Sequence, residues 1–287
     1  MQSDDDMLSH PSDGEEAADI AQPTCRVEPL RFSVKGGPPA RDRCDVVVES
    51  VLTIMIEDIG SLTVLCTPND TLALAVGFLF AEGIITGPEE ITRLTQRADP
   101  LVVAVRVDNP EQVVAGRNLI VTSSCGMCGS RNIDKLIEGL KPGRDTFRVS
   151  PRVLRDVARE MRKQQSLFSR TGGTHAAAVF TRDGDIIAMG EDIGRHNALD
   201  KAVGKCLLEG RPLQERGVML SGRISLEMIA KAARAGFEMA AGVSAPSSLA
   251  IEAAQRSNIT LCGYVRADRA TAYTHPHRIQ NVGQLPD

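Results

Sequence analysis

The chain carries one close pair of thiols. Cys125 and Cys128 flank Gly126 and Met127 in the run Ser123-Ser124-Cys125-Gly126-Met127-Cys128-Gly129-Ser130, and the other cysteines are scattered at 25, 44, 66, 206 and 262. Such a pair suits metal binding, disulfide exchange or the carriage of a sulfur atom. A structural zinc draws ligands from two close pairs, and this chain has one. A deaminase-type zinc needs His-x-Glu followed by Pro-Cys-x-x-Cys. Here His175 is followed by Ala176 and Ala177, and the cysteine pair comes earlier, after Ser124. Hydrolytic deamination is therefore disfavoured, and no metal ligands are assigned. Disulfide exchange would use the same pair, but the surrounding strand pattern is not that of a thioredoxin unit. It would also leave several polar clusters without a task. A thiolate that accepts sulfur as a persulfide and hands it on needs an accessible nucleophile on a loop and a pocket for the acceptor. Gly126 and Gly129 permit such a turn. A helix starting near Ser130, with Arg131, would favour the thiolate by roughly 0.3–1 kcal/mol.

Three polar clusters are candidates for the pocket: Thr171 to His175, Gly190 to Asn197 running on to Asp200 and Lys201, and Ser221-Gly222-Arg223-Ile224-Ser225. Each falls at a junction between strand and helix, where ligands of α/β sheets bind. In the third, Ser221, Ser225 and free backbone N–H groups suit a phosphate, with Arg223 as a bidentate fork. The alternative is that Ser225 only caps a helix and Arg223 only faces solvent. His175 and His196 are open in the same way, as pocket residues or as hydrogen-bonded histidines near a sheet end. There is no GxGxxG fingerprint and no GxxxxGK[ST] loop, so neither a Rossmann dinucleotide site nor a P-loop is supported.

The elements that must position these residues follow from hydrophobic period and turn chemistry. Asp45 to Ile56 and Leu62 to Thr67 read as strands around a hairpin turn at 57–60. A helix from Thr71 to Glu82, capped by Asn69 or Asp70 and stopped at Gly83, is apolar nearly all round, which implies burial. Val102 to Val107 and Leu119 to Thr122 are further strands. Ser150-Pro151 opens a charged helix to about Phe168, closed by Gly172-Gly173. Strands at 176–181, 185–189, 217–220, near 243 and at 259–266 then alternate with helices at 198–209, 225–235 and 247–256. This order predicts an α/β chain in two parts: a small N-terminal α/β domain over 29–149, ending in the cysteine loop, and a three-layer α/β domain over 150–287 with a partly parallel sheet.

The chain has 287 residues and a formal charge of -4 that is unevenly spread. Asp4, Asp5, Asp6, Asp13, Glu15, Glu16 and Asp19 precede any Lys or Arg, so residues 1–28 read as a disordered acidic tail and the body as mildly basic. Aromatic content is 3% with no Trp, too little for stacking single-stranded nucleic acid, and no nucleic-acid partner is expected. The longest apolar run, Leu72 to Ala81, is far shorter than the roughly 20 residues that span a bilayer. The N-terminus lacks a secretory pattern, and an odd number of scattered cysteines is not a disulfide framework. A cytoplasmic protein without a membrane partner is expected.

The runs SSCGMCGS, TGGTHAAA, GEDIGRHNALDK, SGRISLEMIAKAARAG and GYVRADRATAYTHPHRI, in this order over roughly residues 40–280, resemble the formate dehydrogenase accessory sulfurtransferase (FdhD) family. The resemblance implies a sulfur carrier that takes sulfur from a cysteine desulfurase and passes it to the bis(molybdopterin guanine dinucleotide) form of the molybdenum cofactor before that cofactor enters formate dehydrogenase. It implies a persulfide on Cys125, with Cys128 assisting, and a cofactor segment at Tyr264, Val265, Arg266, Ala267, Asp268 and Arg269. His175, Arg195, His196, Ser221, Gly222 and Arg223 complete the expected cofactor-binding set. A cytidine-deaminase-like C-terminal fold, a homodimer, and binding of guanine nucleotides such as GDP as mimics are implied as well. A chaperone that binds the cofactor without doing chemistry is the alternative.

Overall fold

A computed structural model describes residues 22–98, 100–108 and 139–282. Cys125 and Cys128, the expected strand at 119–122 and most of the expected helix from Ser130 lie outside the described residues.

The described chain begins with β1 (Thr24–Val27), β2 (Leu30–Arg31), β3 (Ala40–Arg41) and β4 (Cys44–Val47). The strand β1 falls inside the stretch expected to be a disordered tail, and it pairs antiparallel with β4, Arg26 opposite Asp45. The expectation failed because it weighed only local polarity. Partners distant in sequence supply what the segment lacks: from the helix Ser166–Thr171, Arg170 donates to Thr24 Oγ1 at 2.7 Å and to Asp45 Oδ2 at 2.9 Å.

β5 (Ser50–Ile56) and β6 (Gly60–Cys66) form the expected hairpin, with Ile56 opposite Gly60. The apolar run from Asp45 is thus two strands, since β4 belongs to another sheet. β7 (Ile91–Arg97) and β8 (Val102–Val107) complete a four-stranded sheet in the order β6-β5-β8-β7. Strand β7, ITRLTQR, has too few apolar residues to announce itself. Its inward Ile91 and Leu94 reach the core only through the pairing with β8.

The helix α1 (Thr71–Ala81) is buried on nearly every side, as its composition requires. The expected long helix after Ser150 is broken at buried Gln165 into α2 (Pro151–Gln164) and α3 (Ser166–Thr171). Next come β9 (His175–Phe180), β10 (Ile186–Asp192), α4 (Arg195–Leu208), β11 (Gly217–Leu220), α5 (Leu226–Arg234), β12 (Met239–Gly242), α6 (Ser248–Arg256), β13 (Thr260–Gly263) and β14 (Thr271–Ala272). The second sheet runs β10-β9-β11-β12-β13-β14, with β11, β12 and β13 parallel and the others antiparallel to their neighbours. Alternate residues of this sheet face opposite layers. Ala177, Val179, Val218 and Leu261 share a core with α4, α5 and α6. Ala176, Ala178, Phe180 and Met219 pack with Leu154, Val157 and Met161 of α2.

The first core does not stop at residue 150. It takes in Leu52, Ile54 and Val103 of the four-stranded sheet, Leu74 and Leu79 of α1, and Leu199 and Val203 of α4. Helices α1 and α4 cross with backbones almost touching. A Cβ on Gly77 would lie 1.9 Å from the Asp200 carbonyl oxygen, and one on Gly204 1.9 Å from that of Ala73. Only glycine permits so close an approach. This crossing ties the site-bearing half to the half that leads into the cysteine pair.

Candidate functional site at the carboxyl end of the sheet

The parallel strands β11, β12 and β13 end at Leu220, Gly242 and Gly263, and loops carrying polar groups follow each. Strand β9 runs the other way, so its first residue, His175, lies at this same end, and Asp192 at the close of β10 pairs with it. The topology thus collects His175, Arg195, His196, Ser221, Gly222, Arg223 and the segment 264–269 along one edge.

Ser221 Oγ accepts the Ala176 N–H at 2.8 Å and lies 3.3 Å from His175 Nδ1. Gly222 is pressed between them and α4: a Cβ there would lie 3.2 Å from His175 Nδ1 and 3.5 Å from Arg195 Cβ. His196 Nε2 stands 2.7 Å from Glu227 Oε2. That neighbour holds Glu227 below the usual carboxylate range against the opposing effect of burial. Burial, and then the positive charges of Arg195, His196 and Arg223, push His175 downward and favour its neutral ring.

Besides His196 Nε2, which faces the Glu227 carboxylate, two buried polar atoms at this end meet no hydrogen-bond partner among the described residues: Arg195 Nε and Ser225 Oγ. Ser225 occupies the N-cap position of α5, yet its hydroxyl caps no backbone N–H. The hydroxyl of Ser225 is therefore not engaged as a helix cap. Arg223 is exposed, and neither it nor Arg195 has a carboxylate within ion-pair distance among the described residues.

The segment 264–269 divides. Tyr264 is exposed in a left-handed conformation, φ 53°. Val265 is buried in the core beside α2, its N–H bound to the Gly242 carbonyl at 3.0 Å. Arg266 donates to the carbonyls of Val243 and Val265. Ala267 and Asp268 are exposed, and Arg269 lies 4.0 Å from the Asp268 carboxylate.

Much of GEDIGRHNALDK holds the fold together rather than facing solvent. Lys201 is fully buried, 2.7 Å from Asp192 Oδ2, and it donates to the Thr67 carbonyl and Asn69 Oδ1 at 2.9 Å each. Asp192 accepts from the N–H groups of Thr67 and Gly194 and from Asn197 Nδ2. Glu191 accepts from the Leu167 and Phe168 N–H groups and the Thr174 hydroxyl, anchoring α3. Asp200 binds Lys231 at 2.6 Å. This network fixes the first turn of α4, and with it Arg195 and His196. The sequence reading missed the partners Thr67, Asn69 and Glu227. The signal for the network was present as unsatisfied polar groups inside apolar stretches, but nothing local names a partner some 130 residues away.

The described cysteines are poor nucleophiles where they are buried. Burial pushes the thiols of Cys66 and Cys262 up to about 12 and that of Cys206 up to about 11. Among the described residues, no group of three or more His, Cys, Asp or Glu could hold a metal ion, and no helix is long and apolar enough to cross a membrane.

Comparison with known proteins extends this picture to the whole chain. The model of the FdhD/NarQ family matches residues 47–280. A sulfur carrier protein FdhD from Anaeromyxobacter dehalogenans is 38% identical over 88% of this chain and 94% of its own length. Another from Picrophilus torridus is 40% identical over 82% of this chain and 92% of its own. The crystal structure of a protein from Desulfotalea psychrophila, described as a formate dehydrogenase accessory protein, superposes with a TM-score of 0.73 over 90% of this chain and 100% of its own, at 23% identity. The likeness covers both sheets and the carboxyl-end cluster, and with it the chain belongs to the FdhD/NarQ family.

Proposed function

We propose that this protein is a cytoplasmic sulfur carrier serving the maturation of formate dehydrogenase. The observation that carries this reading is identity of 38–40% over more than four-fifths of the chain to proteins named sulfur carrier protein FdhD. In the proposed reaction the Cys125 thiolate attacks the outer sulfur of a persulfide on a cysteine desulfurase. A new S–S bond forms on Cys125, the old one breaks, and the desulfurase thiolate leaves. Cys128 then attacks Cys125, closing a disulfide whose two electrons release the carried sulfur as hydrosulfide. The acceptor is the molybdenum of the bis(molybdopterin guanine dinucleotide) cofactor, which is substrate here and not a resident group.

The carboxyl end of the six-stranded sheet suits such an acceptor. Among the described residues, Arg195 Nε and Ser225 Oγ are buried donors without hydrogen-bond partners, and the exposed Arg223 beside the helix N-terminus has no carboxylate within ion-pair distance. Guanidinium and hydroxyl groups of this kind bind phosphate. GDP would bind there as a mimic of part of the cofactor. The working protein is proposed to be a homodimer.

The decisive experiment incubates the protein with a cysteine desulfurase and cysteine and follows intact mass. One added sulfur atom, removed by reductant, is expected on the wild type and absent from Cys125→Ala. Retention of full formate oxidation in cells carrying Cys125→Ala would instead establish a chaperone without chemistry.

A further inference from the structure

His175 is a half-buried imidazole set among cations. Arg195 and His196 of α4 and Arg223 on the loop after β11 act on its charge, and Asp192 at the close of β10 opposes them. Asp192 is itself matched by Lys201 at 2.7 Å, and Glu227 of α5 by His196 at 2.7 Å. Positive charge therefore prevails around the ring. Burial, and after it these cations, hold the His175 pKa below the ordinary imidazole range, so without a ligand the ring is neutral near neutral pH.

The ring's polar neighbour is Ser221, whose Oγ lies 3.3 Å from His175 Nδ1 and accepts the Ala176 N–H at 2.8 Å. Gly222 lets them meet beside α4, for a Cβ there would lie 3.2 Å from Nδ1 and 3.5 Å from Arg195 Cβ. A serine hydroxyl has one proton to give and two lone pairs to receive. Toward a neutral ring protonated on Nε2, Ser221 is the donor, and its one proton is directed at Nδ1. Toward a doubly protonated ring it accepts from both Nδ1–H and the Ala176 N–H, and its O–H is set free.

We infer that binding of a pyrophosphate ester at this edge is coupled to protonation of His175, and that the proton reverses the His175–Ser221 hydrogen bond so that the Ser221 hydroxyl turns to the ligand. The inference rests on the proposed function only in taking this edge as the place where the cofactor's phosphates bind. An anion seated among Arg195, Arg223 and Ser225 offsets the positive charge that keeps the ring neutral. The proton comes from solvent and goes to Nδ1, and no other bond is made or broken. Because the His175 pKa is depressed in the free protein and rises in the complex, affinity grows as pH falls through the interval between the two values and levels off below it.

The probe for the test is the symmetric diguanosine pyrophosphate, because both its phosphates are esterified, whereas the terminal phosphate of GDP itself titrates near pH 6. Calorimetry of the full-length protein in two buffers of different ionisation heat is expected to show roughly half a proton taken up per ligand at pH 6.5, with affinity rising about threefold or more from pH 7.5 to pH 6. In NMR titrations of the wild type, saturation with the probe is expected to raise the pKa of the His175 ring, and ring nitrogen shifts to place its proton on Nε2 before binding. His175→Gln is expected to lose the uptake. Binding by the wild type without proton uptake would overturn the inference and leave the pocket reading intact. Uptake that survives His175→Gln and disappears in His196→Gln would assign the proton to the other ring and also overturn it. A free ring protonated on Nδ1 would remove the reversal. If the wild type does not bind the probe at any of these pH values, the pocket reading fails and the inference falls with it.

Discussion

The two ends of the six-stranded sheet carry the same kinds of residue and use them oppositely. At the amino end, Arg278 and Glu238 are fully buried and charge stands beside counter-charge, although Arg278 Nε and Arg216 Nε make no hydrogen bond among the described residues. Glu238 accepts the Thr146 and Phe147 N–H groups at 2.6 and 2.9 Å and the Thr146 hydroxyl at 2.7 Å. Arg278 donates to Thr260 Oγ1 at 3.2 Å and the Arg144 carbonyl at 2.8 Å, and its Nε lies 3.0 Å from Asp145. His277 closes on Asp145 as well. At the carboxyl end, Arg195, Arg223 and Ser225 keep unused hydrogen-bonding capacity. Buried charges that meet their counter-charges specify packing, and guanidinium groups without a carboxylate among the described residues are available to a ligand. The motif running to His277 and Arg278 therefore has a half near Arg266 that is proposed to bind and a structural half beyond Thr271.

That contrast can be broken in order of expected effect. Glu238→Ala removes one of the two carboxylates beside buried Arg278 and leaves the Thr146 and Phe147 N–H groups without their acceptor. Such a loss costs roughly 3–5 kcal/mol, to be read from urea unfolding, and a loss near zero would mean the amino end is not the clamp described. Gly77→Ala drives a methyl group into the Asp200 carbonyl, and forced separation of α1 from α4 is expected to cost roughly 1–3 kcal/mol in the same assay. Arg223→Ala at the carboxyl end should leave stability within about 0.5 kcal/mol, while GDP affinity measured by calorimetry falls about tenfold or more, the worth of a charge-assisted contact. If stability falls and affinity does not, the two ends have been assigned the wrong way round.

The smallest effects are those of pH, and they separate the ends as well. The hydrogen bond from His277, followed by that from Arg148, holds Asp145 at about 2 against the effect of desolvation. Its folded value is depressed, so its stabilisation is complete above the unfolded carboxylate range near pH 4 and is lost as pH falls toward 2. Asp145→Asn should flatten that limb of the stability curve. His175 is also depressed, by burial and then by its cationic neighbours. Its contribution is present above about pH 6.5 and fades as pH falls below that. His175→Gln should remove that dependence, with the wild-type ring followed by NMR titration.

Much of the second half was legible because its elements are short, regular and clearly punctuated. Strand 217–220 and the helix ending at Arg256 appear where turn and periodicity rules put them. The first half was less so. β7 is too polar, β1 too short, and the run 45–56 serves two different sheets, so local pattern could not assign their pairing. At the site, Ser221, Gly222 and Arg223 stood out as a glycine-bearing turn between strand and helix. Glu227 did not, because it is one acid among several on an amphipathic helix and only the approach of α4 gives it His196.

The sequence by itself determined the element order of the second half, the close thiol pair and the family, since each depends on residue type and spacing along the chain. The tertiary structure alone decided which polar motif residues are structural and which stay open to a ligand. Burial and pairing are set by what packs against a side chain, and Lys201 meets Thr67 and Asp192 only because two sheets share one core around the crossing of α1 and α4.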